Sequence, residues 1–458
     1  MQFRWERFRS LADTGWIDLR PLTIVIGANN TGKTSFYQPL LLLNQTGLSS
    51  HTSPALVTRG ELIDVGHFED IAMNRDVANT IKLSFRNLET RRLLRGTFKS
   101  RALSPDSLGL EFDRDSLGSV LLKQYDVRNS SGEQLLLRKR LKDGSYSLRT
   151  APPNPWPRDK DRGGRQAELL ARIHAEIESE RPDRFLFTGR TATTNLLPEI
   201  ETPPKRGAGL RELNWMLRYL VLAGAVFTGI WNEIKDLSYL GPLRSLPERW
   251  YELSGQPPQS VGRGGKFAAE ILYRNRDQDL AGEVSNWLRE FDFPSRVQFK
   301  QVESDSFSVS LRRGRGPAIN LADCGVGVSQ LLPLIVQGLH TPEGGIVIAE
   351  QPEIHLNPRL QAKLAELFAA FVEPGRKRVI VETHSEHLLL RIRTLIARGD
   401  LDHDQVGLFF TSKERGTSTI EQIPISADGD IAVRDWPSGF FEESLTEALA
   451  LANAQAAT

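Results

Sequence analysis

One cysteine, Cys324, stands in 458 residues. It excludes an internal disulfide and fits a reducing, cytoplasmic setting. It also excludes a zinc site of the usual cysteine-rich kind, and the eight histidines are scattered with no zinc or H-N-H spacing. Net charge is nearly absent: 58 Lys and Arg against 57 Asp and Glu leave +1, with no global bias toward nucleic acid or membrane. No apolar run is long enough for a membrane span of roughly 20 residues. The greasiest stretch, MLRYLVLAGAVFTGIW (Met216–Trp231), carries Arg218 and is expected to be a buried helix. The opening MQFRWERFRS lacks the apolar core of a signal peptide. No membrane partner is expected.

What is present is an ordinary soluble composition, 40% hydrophobic and 25% charged, in a chain long enough for several domains. Basic clusters occur at Arg91–Arg101, Leu137–Lys142 and Arg312–Gly316, and solvated surface is their simplest reading. FRWERF and WIDLRPLTIVIGANN read as β segments ending in a glycine turn. KTSFYQPLLLL (Lys33–Leu43) reads as a helix kinked at Pro39. Thr80–Phe85 alternates as a strand, and residues 86–150 suit an antiparallel region. Thr150–Arg165 is a Pro/Gly-rich linker, and helical spacing returns at 166–180 and 209–236. After about residue 295, unalternated apolar strands such as GIVIA and KRVIVET alternate with helices. That pattern predicts a parallel sheet covered on both faces.

GANNTGKT (Gly27–Thr34) matches the P-loop pattern in full. Its glycines let backbone N–H groups approach phosphate oxygens. Lys33 would face the β- and γ-phosphates, and Thr34 would hold Mg2+. A following helix N-terminus would add its dipole. GIVIAE is a buried strand ending in an acid, as a Walker B motif does, so Glu350 is the second candidate metal ligand. VIVETHSEH places His384 at another strand end, where a side chain can sense the γ-phosphate. CGVGVSQLLP offers glycines and a serine before an apolar helix: a further anion site, or a plain cap by Ser329.

The set GANNTGKT, YLGPLRSLPERWY, DCGVGVSQLLP, EQPEIHLNP, VETHSEH and GDIAVRDWPSGFFEE resembles ABC-type ATPase heads of the RecF/SMC/OLD group, in particular stand-alone AAA family ATPases without a Toprim nuclease domain. The resemblance implies an α/β P-loop head with a mixed sheet and an inserted α+β or helical middle. It divides the chain into an N-terminal ATPase lobe (1–90), an insertion for oligomer, partner or DNA contact (91–236), a C-terminal ATPase lobe (237–415) and a small C-terminal domain of unknown function (416–458). It implies ATP and Mg2+ held by Gly27, Asn29, Asn30, Thr31, Gly32, Lys33, Thr34 and Ser35. It further implies a homodimer or higher homo-oligomer in which Gly327, Ser329 and Gln330 of one protomer touch the γ-phosphate held by the other.

Two positions depart from the pattern of such heads. Asn357 replaces a histidine in HLNP, and Gln351 replaces the acid that polarises the attacking water. Glutamine orients water but accepts no proton. Hydrolysis is therefore expected to be slow, or to rely on Glu353 or Glu382; Glu350, Gln351, Glu353 and His384 form the candidate catalytic set. Three functions compete. The first is an ATP-gated switch, in anti-phage defence, working with a separately encoded nuclease or toxin. The second is a repair or recombination ATPase acting on DNA, with Arg244, Arg263 and Lys266 as candidate phosphate contacts. The third is an OLD-like nuclease subunit. Fewer than 60 residues follow the His384 helix, so no Toprim domain is expected, and Asp428 and Asp430 in SADGDI read as a turn.

Overall fold

The computed structural model describes residues 1–49, 55–86, 105–150, 224–373, 377–432 and 455. The basic cluster Arg91–Arg101, the linker Thr150–Arg165 except Thr150 itself, most of the expected insertion and most of GDIAVRDWPSGFFEE lie outside them. The chain forms two compact units: Met1–Asp18 with Gln38–Lys235, and Leu19–Tyr37 with Asp236–Thr458.

The first unit is built on antiparallel strands. β1 (Gln2–Phe8) pairs with β2 (Leu11–Asp13), β3 (Ile17–Asp18) and β5 (Ile81–Arg86). A meander follows through β6 (Pro105–Arg114), β7 (Val120–Asn129), β8 (Gln134–Arg140) and β9 (Tyr146–Thr150). Alternation drives the pairing. Phe3 and Trp5 point to one face, fully buried, with their rings stacked at 4.4 Å. The expected antiparallel region is present, but not every charge in it is solvated. Arg138, from the cluster Leu137–Lys142, is 1% exposed and lies over the Tyr146 ring.

Helix α1 (Gln38–Leu48) buries nine of its residues, and Asn44 Nδ2 donates to the Ile234 carbonyl at 2.6 Å. Residues 224–234, which include the described part of the greasiest stretch (224–231), are helical and are labelled α2, with Val226, Phe227, Ile230 and Ile234 buried. The single kinked helix expected from Lys33 does not form. A 3-10 turn covers Thr34–Phe36, and α1 starts anew at Gln38 with Pro39 in its first turn. Proline lacks the N–H and its ring collides with the carbonyl four residues back, so it is accommodated most readily where a helix begins.

In the second unit five strands run parallel, in the order β10 (Leu237–Leu240), β15 (Ile346–Glu350), β16 (Arg378–Glu382), β4 (Leu22–Gly27), β17 (Val406–Glu414). β18 (Thr417–Ile423) closes back antiparallel on β17. The strands are apolar throughout because helices cover them: α5 (Val326–His340), α6 (Pro358–Phe371) and α7 (Glu386–Arg398) share one core with Ile24, Ile26, Val347, Ala349, Val379 and Val381. Asn357 caps α6 by accepting from the Leu360 N–H at 3.1 Å, and Ser385 caps α7 by accepting from the Leu388 N–H at 3.0 Å. α7 stops at Gly399 in the left-handed conformation, φ 76°. A second, smaller antiparallel sheet (β11 Tyr251–Glu252, β12 Arg296–Gln301, β13 Ser306–Arg312, β14 Ala318–Asn320) stands beside α3 (Ala268–Arg274) and α4 (Leu280–Glu290) in the same core.

Candidate nucleotide site

Register places the site. Leu240 pairs with Ala349, Glu350 with Glu382, and Glu382 with Val25, so the carboxyl ends of β10, β15, β16 and β4 finish almost level. In a parallel sheet that edge is where ligands bind. Gly27 ends β4 at φ 149°, and a Cβ there would lie 2.4 Å from both the carbonyl and the Oγ1 of Thr411. The loop that follows is pinned by Thr31, whose hydroxyl donates to the Ala28 carbonyl at 2.8 Å and meets Thr411 Oγ1 at 2.6 Å. Asn30 (φ 62°) and Gly32 (φ 97°) take left-handed backbone, while Asn29 and Asn30 are exposed. Lys33 is 5% exposed, and its ammonium donates to the carbonyls of Gly27 (3.1 Å) and Ala28 (2.7 Å). Ser35 is buried. The α-helical dipole expected behind the loop is reduced to the short 3-10 turn.

Facing the loop stand two adjacent carboxylates, Glu350 and Glu382. Tyr239 donates its hydroxyl to Glu350, and Tyr37 donates to Glu382 Oε2 at 2.8 Å. The two tyrosine rings are 6.2 Å apart. Burial raises the pKa of both phenols, so they remain donors. Burial, and next the charge of Glu350, push the Glu382 carboxyl up to about 7 against the pull of Tyr37, Lys33 and Thr34. Lys33 itself is lowered by desolvation, opposed by Glu382, Glu350 and Glu353. Thr34, Glu350 and Glu382 are hard oxygen donors of the kind Mg2+ takes, beside a lysine and loop amides that suit phosphates. The residues fit ATP with Mg2+.

The Glu382 shift has a measurable sign. Its folded pKa lies above the unfolded value of 4.5, so stability falls as pH rises from about 4.5 to about 7. The loss is up to about 3 kcal/mol on the scale of 1.4 kcal/mol per unit. Without nucleotide or metal, the urea midpoint of wild type should drop between pH 5 and pH 8. Glu382→Gln should remove most of that drop, and equal slopes for the two proteins would refute the assignment.

Past β15 the chain turns sharply. Gln351 is half-buried at φ 44° and its N–H donates to the Glu382 carbonyl at 2.7 Å. Two residues on, Glu353 is buried and its Oε1 accepts from the His384 N–H at 2.7 Å. Burial raises the Glu353 pKa, opposed by that amide and by the charge of Arg244. Burial, and next the charge of Lys33, lower the His384 pKa, whereas His387 is exposed. Asn357 serves as the α6 cap already described. At the start of α5, Gly325 is the N-cap rather than Ser329. Ser329 is buried inside the helix and donates back to the Val326 carbonyl at 2.7 Å. Gln330, also buried, accepts from Arg244 Nη1 at 3.2 Å. Gly327 is half-buried and Val326 is exposed.

Thus the second unit brings together the P-loop, Glu350, Gln351, Glu353, Glu382 and His384. Reading the sequence missed Tyr37, Tyr239 and Thr411. Tyr239 opens YLGPLRSLPERWY, one of the motifs that carry the resemblance, and that is the one available signal. Arg263 offers its backbone carbonyl to the Gly241 N–H, and Lys266 lies over the Phe267 ring. Asp428 and Asp430 form the expected turn, in which Asp428 Oδ1 accepts from the Ser426 hydroxyl and from the Asp430 N–H. Among the described residues the one metal-like group of three is Asp402, His403 and Asp404, away from these motifs and largely exposed. No described helix is long and apolar enough to cross a membrane.

Parallel strands, P-loop and strand-end acid define the fold of an α/β P-loop ATPase. More narrowly, the chain belongs to the family described as "AAA domain, putative AbiEii toxin, Type IV TA system", which matches residues 22–391. Residues 401–451 match a family of unknown function, DUF3696. No curated protein matches the chain. Among solved structures it is similar to the Smc head domain of Pyrococcus furiosus with an extended coiled coil, bound to the C-terminal domain of ScpA (11% identity, 92% of this chain and 96% of that one, TM-score 0.39). It is also similar to the SMC head domain of Thermotoga maritima (9% identity, 92% and 98%, TM-score 0.33).

Proposed function

We propose that this ATPase is a slow, nucleotide-gated switch. ATP and Mg2+ sit at the P-loop, with Thr34 and Glu350 on the metal and Lys33 on the β- and γ-phosphates. Closure of two protomers around the nucleotide, each offering the Val326–Gly327 end of α5 to the other, gives a dimer or higher oligomer. The ATP-bound form holds or releases a separately encoded nuclease or toxin in anti-phage defence. The family description, which names a toxin of a type IV toxin–antitoxin system, supports the defence setting.

One observation carries the slow step. The residue directly after Glu350 is Gln351, held by its backbone at a φ of 44°. Its amide can orient water but takes no proton. Glu353 is the nearest acid in the same loop and acts as the reserve base, its carboxylate steadied by the His384 amide. Proton abstraction by a well-placed base is worth roughly 100-fold or more. Gln351→Glu should therefore raise steady-state ATP hydrolysis roughly tenfold or more, while ATP drives an increase in light-scattering mass in both proteins. If wild type turns over briskly and Gln351→Glu slows it, the brake assignment is wrong and Glu353 becomes the principal base. Running the assay with and without DNA tests the repair reading, which requires stimulation by DNA.

A further inference from the structure

Among the described residues of the second unit, the buried side-chain atoms without a hydrogen-bond partner are Arg244 Nε and Nη2, Glu353 Oε2 and His384 Nε2. They are neighbours. Glu353 is bonded to the His384 backbone, the charge of Arg244 bears on Glu353 and Glu350, and the charge of Lys33 bears on His384. These orphans gather at one place, the strand-end crevice facing the P-loop lysine.

Arg244 is the unusual member. It is 7% exposed, so its guanidinium is out of water. A buried cation without full hydrogen bonding is costly and persists where something else offsets it. Glu353 offsets it through charge alone: neither its free oxygen nor the two free guanidinium nitrogens has a hydrogen-bond partner. The loop carrying Arg244 is fixed nonetheless. The Gly241 N–H donates to the Arg263 carbonyl at 2.9 Å and the Ser245 N–H donates to the Gly264 carbonyl at 2.8 Å, so the side chain is aimed by its backbone. The remaining nitrogen, Nη1, bonds Gln330 on α5. A planar guanidinium with two adjacent N–H donors unused matches two oxygens of a phosphoryl group.

We infer that Arg244 binds the terminal phosphoryl group of the nucleotide, distinguishes a triphosphate from a diphosphate, and reports the difference to α5 through Gln330. This rests on the nucleotide site proposed above. Arg244 therefore touches the nucleotide, with the orphaned His384 nitrogen as a second contact to the same group. A diphosphate leaves both unpaired.

The test is equilibrium binding of fluorescent ATP and ADP, with Mg2+, to the full chain. Arg244→Ala should weaken ATP by about tenfold to 100-fold, the worth of one or two charge-assisted hydrogen bonds. ADP should change less than twofold. Arg244→Lys should keep part of the ATP preference, and Arg244→Gln, which can still reach Gln330, should lose it. Lys33→Ala should weaken both nucleotides. An unchanged ATP-to-ADP ratio in Arg244→Ala, or an equal loss of both, overturns the inference. If Arg244→Ala melts well below wild type, the Lys and Gln variants decide by the same ratio. Wild type that binds neither nucleotide sinks the nucleotide reading itself, an outcome distinct from failure at Arg244 alone.

Discussion

Lys33→Ala should cut ATP hydrolysis by roughly 100-fold or more, the scale of losing one preorganised charge at a developing transition state. The expectation rests on placement. Lys33 is the P-loop cation, 5% exposed, with its ammonium on the carbonyls of Gly27 and Ala28. Those two contacts hold it beside the loop amides that a triphosphate would cover. The same substitution should leave the nucleotide-free fold at least as stable. Desolvation lowers the Lys33 pKa despite three nearby acids, so in the absence of ligand the charged form costs stability at neutral pH. Loss of turnover with an equal or higher melting temperature is therefore the signature to look for. A fall in both would mean that Lys33 is a structural prop, and the nucleotide assignment would lose its chief residue.

The largest effect on the fold should come from Gly27→Ala. The new Cβ would sit 2.4 Å from the carbonyl of Thr411 as well as from its hydroxyl, and backbone cannot swing aside as a side chain can. The backbone conformation, φ 149°, is in addition one that residues with a Cβ avoid. Overpacking of this kind costs about 1–3 kcal/mol, and the strained φ adds to it. Denaturant titration should show the loss, and nucleotide affinity should fall with it because β4 leads directly into the phosphate loop. Thr411→Ala in the same chain should recover only part, since the carbonyl clash stays. A Gly27→Ala protein with unchanged midpoint would show that β4 and β17 have room to separate.

The sequence was most legible where burial is total. GIVIA and KRVIVET read as central parallel strands because nothing polar interrupts them, and helices on both faces demand that pattern. The P-loop was legible because few residue types allow its backbone. Legibility ended where partners come from far along the chain. Nothing local marks Tyr37 or Tyr239, and their roles appear only when folding sets them against Glu382 and Glu350. The hairpin of β17 and β18 gives no plain strand signal because its strands are half-polar, although Arg415 (φ 48°) and Gly416 (φ 89°) take left-handed backbone at its turn. Pro39 reads as a kink in one helix, whereas a proline so near a loop stands where one turn has ended and another helix begins. Arg138 looked like surface charge because alternation within a basic run conceals which positions point inward.

The level finish of β10, β15, β16 and β4 acts as a ruler. Spacing between strands in a sheet is about 4.8 Å, fixed by backbone hydrogen bonds whatever side chains are present. Glu350 and Glu382 are one division apart on it, and Gly27 marks the next strand along. The dimensions of the pocket are thus written in hydrogen bonds between strands, not in the path of the chain that joins them. This explains how Leu19–Tyr37 can share a unit with Asp236–Thr458 while Gln38–Lys235 joins Met1–Asp18 in the other. Between the loop that would grip the phosphates and the acids that would hold the metal, nearly two hundred residues (Gln38–Lys235) belong to the other unit. The sheet restores their separation regardless, so that long excursion is free to vary in length and sequence without altering the scale on which the chemistry is laid out.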